Sequence, residues 1–304
     1  MIGAVDIGGT KIAVGIVSEQ GVLLADDSWA TNPQSGAETG VQRIISGLKN
    51  ILSQVNLPLE GIGVACTGPV NPLTGMLGDV EFLPSWAGLN LCERLSDAFH
   101  VGCAMENDAD AAALGEYTWG CGRGSSRFIY LTVSTGIGAG VILDGKLYRG
   151  KGGAHPEIGH HVIDVNGPIC FCGGRGCWES TASGPAFAQW YNQESAFASC
   201  TAIDARQICE RARKGEPLAL QAIEREGKFL GIGIANLITI FAPEIIALGG
   251  GVMLSFDLFE PYIRKMIAAQ DEYFPADFTR LIPVQNRASA SLIGAACAWI
   301  HHQK

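Results

Sequence analysis

The strongest constraint on the fold is a sequence pattern that occurs twice. Residues 2–25, IGAVDIGGTKIAVGIVSEQGVLLA, consist of short β-branched runs separated by glycine, which predicts three strands joined by tight turns. Residues 128–148, FIYLTVSTGIGAGVILDGKLY, repeat that pattern with a second set of turns. A three-strand unit present in two copies predicts two similar α/β domains.

The segments around the two copies complete an α/β pattern. Residues 61–70 predict a buried strand, residues 217–241 an apolar helix that leads into a strand at 244–248, and SASLIGAACAWIHH a small-residue helix packed on a sheet. We place the first domain at residues 1–113 with 287–304, and the second at 114–286. A further helix is predicted after the first copy from apolar residues at three- and four-residue steps: Val41, Ile44, Ile45, Leu48, Ile51, Leu52 and Val55.

Composition and charge restrict the class of protein. With 47% hydrophobic residues in 304, the chain can form extensive buried cores. A net charge of -9 opposes general attraction to nucleic acid or to anionic membranes. We find no secretion signal and no apolar run near the ~20 residues that a membrane span needs. We therefore expect a soluble, cytoplasmic protein without a nucleic-acid or membrane partner.

The ten cysteines fit reduced thiols and metal ligation better than disulfides, because the chain is long and lacks a secretion signal. Four of them lie in apolar or helical contexts and are expected to be packing residues: Cys66, Cys92, Cys103 and Cys297.

Glycine turns at strand ends suggest a nucleotide site. In the turn Asp6-Ile7-Gly8-Gly9-Thr10-Lys11, backbone amides could hold phosphate oxygens while Asp6 holds a magnesium ion through water. A plain hairpin would explain that turn alone. The second copy, at Thr135-Gly136-Ile137-Gly138, and a third glycine cluster at Gly249-Gly250-Gly251 favour one nucleotide bound in a cleft between the domains.

An acidic stretch, Glu106-Asn107-Asp108-Ala109-Asp110, precedes an alanine-rich helix. Asn107 or Asp108 suits a helix cap. A carboxylate here also suits a general base that accepts the proton of a sugar hydroxyl as its oxygen attacks the γ-phosphate. The sequence leaves both roles open.

Residues 155–180, HPEIGHHVIDVNGPICFCGGRGCWES, combine soft and imidazole ligands. Cys170, Cys172 and Cys177 with His160 form a Cys3His set that zinc holds tetrahedrally, although His161 or His155 could supply the imidazole, and unrelated buried thiols are the alternative. Four protein ligands leave no open position, so we expect a structural zinc. It would stiffen the loop whose carboxylates, Glu157 and Glu179, could accept hydrogen bonds from a polyol.

Taken together, these motifs resemble the bacterial sugar kinases of the ROK family, whose fold is the two-domain actin-like ATPase (ribonuclease H-like) α/β fold with a central active-site cleft. The resemblance covers essentially the whole chain. Its most specific element is Cys170-Phe-Cys-Gly-Gly-Arg-Gly-Cys177-Trp-Glu179, preceded by Glu157-Ile-Gly-His160.

The resemblance implies an ATP:hexose 6-phosphotransferase that uses Mg²⁺ with ATP, carries a structural Zn²⁺ and forms a homodimer or homotetramer. It implies Asp108 as the base for the sugar's 6-hydroxyl and His160, Cys170, Cys172 and Cys177 as zinc ligands. Hexose would be bound by Gly68, Asn107, Asp108, Glu157, His160 and Glu179. Nucleotide would be bound by Asp6, Gly8, Gly9, Thr10, Lys11, Thr135, Gly136, Gly138, Gly249, Gly250 and Gly251.

Two departures from the family pattern bear on the substrate. His155-Pro156 resembles fructokinase-like members, whereas many glucokinases of the family carry an alanine-glycine pair there. Phe82-Leu83-Pro84-Ser85-Trp86 replaces the N-L-P-G-W of the glucokinases and so loses an asparagine near the sugar. Glucose is the first expectation, followed by fructose, mannose and N-acetylmannosamine.

Two other functions exist on the same fold. ROK repressors carry a winged-helix module before the first phosphate motif, and we expect no such module here because that motif begins at Asp6. A sugar sensor that has lost catalysis would require damage to the base or the phosphate turns, yet Asp6, Thr10, Asp108 and Gly136 look intact.

Overall fold

The computed structural model describes residues 1–55, 57–80, 83–195, 202–270, 272, 277–284 and 290–303. In these ranges the strands are β1 (Ile2–Ile7), β2 (Lys11–Val17), β3 (Leu23–Ala30), β4 (Gly61–Cys66), β5 (Val70–Asn71), β6 (Met76–Leu77), β7 (Gly102–Asn107), β8 (Arg127–Val133), β9 (Ile137–Leu143), β10 (Lys146–Leu147), β11 (Ile245–Gly249) and β12 (Arg280–Pro283). The α-helices are α1 (Ala37–Val55), α2 (Leu91–Phe99), α3 (Asp108–Trp119), α4 (Trp178–Ala182), α5 (Gly184–Glu194), α6 (Ala205–Arg213), α7 (Pro217–Phe241), α8 (Phe256–Ala268) and α9 (Ala290–His302).

The chain divides into two compact units. Unit 1 comprises Met1–Gly124, Lys146–Pro156 and Arg287–Lys304, and unit 2 comprises Ser125–Gly145 and Glu157–Asn286. The boundary at residue 113 expected from the sequence falls within α3. Because α3 packs on α9, the whole of α3 belongs to unit 1.

Unit 1 is built on a sheet with strand order β3-β2-β1-β4-β7. The first three strands form the antiparallel meander predicted from residues 2–25, and β4 and β7 add parallel to β1. Gly21, at φ 78°, allows the tight turn between β2 and β3. The strand predicted over residues 61–70 ends at Cys66. The Thr67 N–H still donates to the Ile7 carbonyl at 3.0 Å, and the backbone then bends at residues 68–69.

Helices cover both faces of the unit 1 sheet. The apolar stripe of α1 is buried as predicted, with Val41, Ile44 and Leu48 fully inside. The other face is covered by α9, whose small residues allow a close approach: a Cβ on Gly63 would lie 1.9 Å from the carbonyl oxygen of Ala295. The small-residue helix predicted at the end of the chain is therefore confirmed.

Unit 2 contains the second copy of the pattern. Its sheet has the order β10-β9-β8-β11-β12, with β8 and β9 antiparallel and β8, β11 and β12 parallel. The long helix predicted at 217–241 is α7, which starts with Pro217 in its first turn and ends at Ala242 in a left-handed conformation. α7 packs along α8, and both contribute to the core of the unit.

Within the described residues, no helix has both the length and the apolar character required to cross a membrane.

Candidate functional site

Three parallel strands of unit 1 end in register. Ile7 at the end of β1 pairs with Cys66 at the end of β4, and Cys66 pairs with Asn107 at the end of β7. The turns that follow these strands therefore leave the same edge of the sheet, where open α/β sheets bind ligands. A Cβ on Gly68 would lie 3.1 Å from Nδ2 of Asn107, so two residues expected at the sugar are adjacent.

The residue expected as the base starts α3. The backbone N–H of Ala109 donates to Oδ1 of Asn107 at 2.9 Å and to Oδ1 of Asp108 at 2.8 Å, and Asn107 occupies the N-cap position. Asn107 is therefore the cap. Oδ1 of Asp108 shares the same N–H, and the Asp108 side chain stays in part open to solvent although protein surrounds its carboxyl group.

The electrostatic surroundings of Asp108 suit proton acceptance. Desolvation by the surrounding protein raises the pKa of Asp108 to about 6; the Ala109 N–H opposes the rise and the Asp6 carboxylate adds to it. Burial likewise raises the pKa of Asp6, against the lowering effects of Ser291 and Lys11. Asp108 is thus mainly ionised at pH 7, yet far more basic than an ordinary aspartate.

The first glycine turn closes β1 and β2. The Gly8 N–H donates to the Lys11 carbonyl at 2.9 Å, and the Thr31 hydroxyl holds the Gly8 carbonyl at 2.7 Å. Thr10 and Lys11 are exposed, so the tip of the turn is accessible. Asp6 lies at the start of this turn, within the electrostatic range of Asp108.

The two glycine groups of unit 2 lie side by side. Gly249, at the end of β11, pairs with Thr132 of β8, and Gly138 pairs with the same residue from β9. Gly250 has a φ of 89°, and a Cβ there would lie 2.3 Å from the Val133 carbonyl oxygen. The backbones of the turns that follow β8 and β11 therefore lie close to each other with no side chain between them, as a phosphate site requires.

Glu179 is tied to the β8–β9 turn. Its Oε2 accepts the backbone N–H of Ile137 at 2.9 Å, and a Cβ on Gly136 would lie only 2.4 Å from that oxygen. A residue expected at the sugar is thus held directly against a turn expected at the phosphates.

The four residues expected to bind zinc come together in unit 2. One ligand atom from each of His160, Cys170, Cys172 and Cys177 lies within 4.8 Å of the others. His160 Nδ1 is 3.5 Å from Cys170 Sγ, and Cys172 Sγ is 3.6 Å from Cys177 Sγ. Tetrahedral zinc, with bonds of about 2.3 Å to sulfur and 2.0–2.1 Å to nitrogen, requires separations of roughly 3.6–3.8 Å. The residues present therefore fit zinc.

The other two histidines considered as ligands have different partners. His161 Nδ1 contacts the Ile158 carbonyl at 2.6 Å and its Nε2 lies 3.2 Å from Asn236 Nδ2. His155 Nδ1 lies 2.8 Å from Asp110 Oδ2. Of the three imidazoles, His160 alone joins the cysteine group found among the described residues.

The residues expected to bind hexose are divided between the units. Gly68, Asn107 and Asp108 belong to unit 1, whereas Glu157, His160 and Glu179 belong to unit 2. Glu157 is exposed and precedes the short turn Ile158–His160. In the segment that departs from the glucokinase pattern, Trp86 is buried against Gly40, while Phe82 lies outside the described residues.

Two ion pairs beside Asp108 were not anticipated from the sequence. Arg149 pairs with Glu106, and His155 pairs with Asp110. The acidic partners were visible in the stretch at residues 106–110, but their cationic partners lie 43 and 45 residues further along. The only sequence signal was His155 itself, one of the departures from the glucokinase pattern.

Comparison with known proteins agrees with this architecture. Residues 2–303 match a model described as the ROK family. Glucokinase of Thermotoga maritima is 34% identical over 274 residues, covering 86% of each protein. N-acetylmannosamine kinase of Yersinia pestis is 32% identical over 299 residues, covering 96% of each.

A solved structure supports the same assignment. The crystal structure of a ROK family glucokinase from Streptomyces griseus, in complex with glucose and AMPPNP, superimposes with a TM-score of 0.80 and 31% identity. The alignment covers 100% of this chain and 99% of that one. The fold class expected from the sequence is confirmed, and the chain belongs to the ROK family.

Proposed function

We propose that the protein transfers the γ-phosphoryl group of ATP to the 6-hydroxyl of a hexose, with glucose as the first expected substrate. The observation that carries the proposal is Asp108, an accessible carboxylate with a pKa raised to about 6 at the edge where three parallel strands end. The similarity to sugar kinases over nearly the whole chain supports it.

Asp108 acts as the general base in this proposal. An ionised carboxylate with a pKa near 6 can accept the proton of the 6-hydroxyl as its oxygen attacks phosphorus, and can release that proton to water at neutral pH. Asn107 fixes the start of α3 and thus the direction of Asp108. Gly68, Asn107, Glu157, His160 and Glu179 would contribute to hexose binding.

The nucleotide is assigned to the glycine turns. The turn at Gly8–Lys11 would contact phosphates, as would Thr135, Gly136, Gly138 and the cluster at Gly249–Gly251. Asp6 would hold Mg²⁺ through water, and that ion neutralises charge on the phosphates when bound.

Zinc has a structural role in the proposal. His160, Cys170, Cys172 and Cys177 would fill its coordination shell, so it supplies rigidity rather than a reactive position. Because His160 Nδ1 faces the sulfur atoms, its Nε2 is the nitrogen left to donate to a sugar hydroxyl. Zinc would thereby fix the tautomer of a sugar-binding imidazole.

The test is ADP release from purified protein with MgATP and glucose, mannose, fructose, allose, N-acetylglucosamine or N-acetylmannosamine. We expect one sugar to dominate, and Asp108→Asn to lower kcat by about 10²–10⁴ while hexose still binds. Asp26→Asn, at an exposed position of β3, is the matched control. Dominance of fructose or N-acetylmannosamine would replace glucose as substrate. Sugar binding without turnover would indicate a sensor and overturn the kinase proposal.

A further inference from the structure

The segment of residues 149–155 is fixed at both ends to the region around Asp108. Arg149 pairs with Glu106 near the end of β7, and His155 pairs with Asp110 in the first turn of α3. Asp108 lies between the two acidic partners, two residues from each. The segment therefore pairs one basic side chain with each of the two acidic residues that flank Asp108 in the chain.

The His155–Asp110 pair is largely shielded from water. The side chains are 13% and 3% exposed, and Nδ1 of His155 lies 2.8 Å from Oδ2 of Asp110. Oδ1 of Asp110 is also buried and has no hydrogen-bond partner among the described residues. A buried carboxylate is costly unless a partner compensates its charge, and His155 is the cationic side chain positioned to do so.

The negative charges in this region are crowded. Four carboxyl groups from three elements interact with one another here: Asp6 of β1, Glu106 of β7, and Asp108 and Asp110 of α3. Three basic groups face them: Lys11 of β2, and Arg149 and His155 of the 149–155 segment. Imidazole is the side chain whose ordinary pKa lies nearest to neutral pH, so His155 is the basic group of this set that we test by substitution.

We propose that His155 and Asp110 form a charge-compensated pair that positions Asp108 and keeps its carboxylate available to accept the substrate's proton. The inference rests on the proposed kinase function, because it assigns a role to the pair within that reaction. His155 and Asp110 are positioning residues: both act through Asp108, and neither needs to touch the sugar.

Opposite effects of the two partners follow from their charges. Removing the imidazole exposes Asp108 to the full charge of Asp110, so the carboxylate of Asp108 becomes harder to ionise. Removing the charge of Asp110 leaves the imidazole alone, so Asp108 becomes easier to ionise. The charge of His155 thus lowers the pKa of Asp108, and the charge of Asp110 raises it.

The experiment measures kcat/KM against pH from 4.5 to 8.5 with the best hexose. The acidic limb is the part of the profile where kcat/KM falls as pH is lowered. We expect His155→Gln to move its midpoint to higher pH by roughly half a pH unit or more, and Asp110→Asn to move it to lower pH. His155→Lys, which restores a cation, should return the limb toward that of the unmodified protein. His302→Gln and Asp26→Asn, both at exposed positions, should leave it in place.

Equal loss of kcat/KM at every pH in His155→Gln and Asp110→Asn, with the limb unmoved, would overturn the proposal. If Asp110→Asn does not fold, the contrast between His155→Gln and His155→Lys decides the same question. Both must be checked for unchanged melting temperature.

A measurement without turnover separates this inference from the proposed function. In protein labelled with ¹³C-aspartate, the NMR carboxyl signal that is lost in Asp108→Asn reports the titration of Asp108 itself. A midpoint near pH 6 that rises in His155→Gln supports the pair, even if no sugar is phosphorylated. An unchanged midpoint refutes it, even in an active kinase.

Discussion

Substituting Gly136 tests whether Glu179, which is hydrogen-bonded to the β8–β9 turn, also binds the hexose. The new Cβ of Gly136→Ala would lie 2.4 Å from Glu179 Oε2, whereas ordinary contacts begin at 3.4 Å, so the carboxylate must move by about 1 Å. We expect that movement to break the hydrogen bond from the Ile137 N–H to Oε2, now at 2.9 Å.

The expected magnitude follows from that lost bond. A hydrogen bond to a charged group contributes about 1.5–3 kcal/mol to the free energy of unfolding, and alanine recovers about 0.4–1 kcal/mol by restricting the unfolded chain. The net loss is about 0.5–2.6 kcal/mol, which lowers the melting temperature by about 1–10 °C. If Glu179 also binds a sugar hydroxyl, hexose should bind roughly 10- to 150-fold more weakly.

The assay pairs differential scanning fluorimetry with calorimetric titration of hexose. Gly251→Ala is the matched control for stability, since its Cβ would meet no atom closer than 3.8 Å and its φ is -62°. A lower melting temperature with unchanged hexose affinity would show that Glu179 supports the turn without contacting sugar. Unchanged values of both would refute the geometric reasoning.

Two further predictions concern metal and pH. Cys172→Ser should abolish stoichiometric zinc binding in a colorimetric assay and should lower both the melting temperature and the hexose affinity. Cys121→Ser, outside the cluster, is the control and should retain zinc. Unchanged hexose affinity in zinc-free protein would contradict the role of zinc in positioning the sugar-binding loop. Burial raises the pKa of Glu226 from 4.5 to about 8, so the folded state binds the extra proton and loses stability as pH rises through that window. Glu226→Gln mimics the protonated acid, so its stabilising effect in urea titrations should grow between pH 4.5 and 8. Glu224→Gln, exposed on the same helix, is the control and should show no such growth. A difference in unfolding free energy between Glu226→Gln and the unmodified protein that is the same at every pH would argue against a protonated Glu226.

The sequence predicted what depends on local pattern. The meanders, the stripe of α1 and the span of α7 follow from periodicity and glycine, because these signals lie within one element. The cysteine cluster could be identified since its ligands fall within 18 residues of one loop. The sequence already favoured His160 as the imidazole ligand, and the fold gives the alternative His155 another partner, Asp110, 45 residues away.

Long-range pairing explains the other differences. Nothing near Asp110 in the sequence indicates which cation compensates it. The division of residues at α3 likewise depends on packing against α9, which lies some 170 residues later. Such contacts are set by tertiary structure and leave little trace in composition or spacing.

The packing of α9 on β4 has a consequence for synthesis on the ribosome. One face of the first sheet, with Ala4, Ala13 and Ala65, is covered by residues of α9, which are translated more than 220 residues after β4. Unit 2 lies between these segments in the chain and can acquire its own core while that face of the sheet is still bare. Cotranslational folding would therefore finish the inserted unit first, and the nascent N-terminal sheet would be the species that chaperones must protect from aggregation.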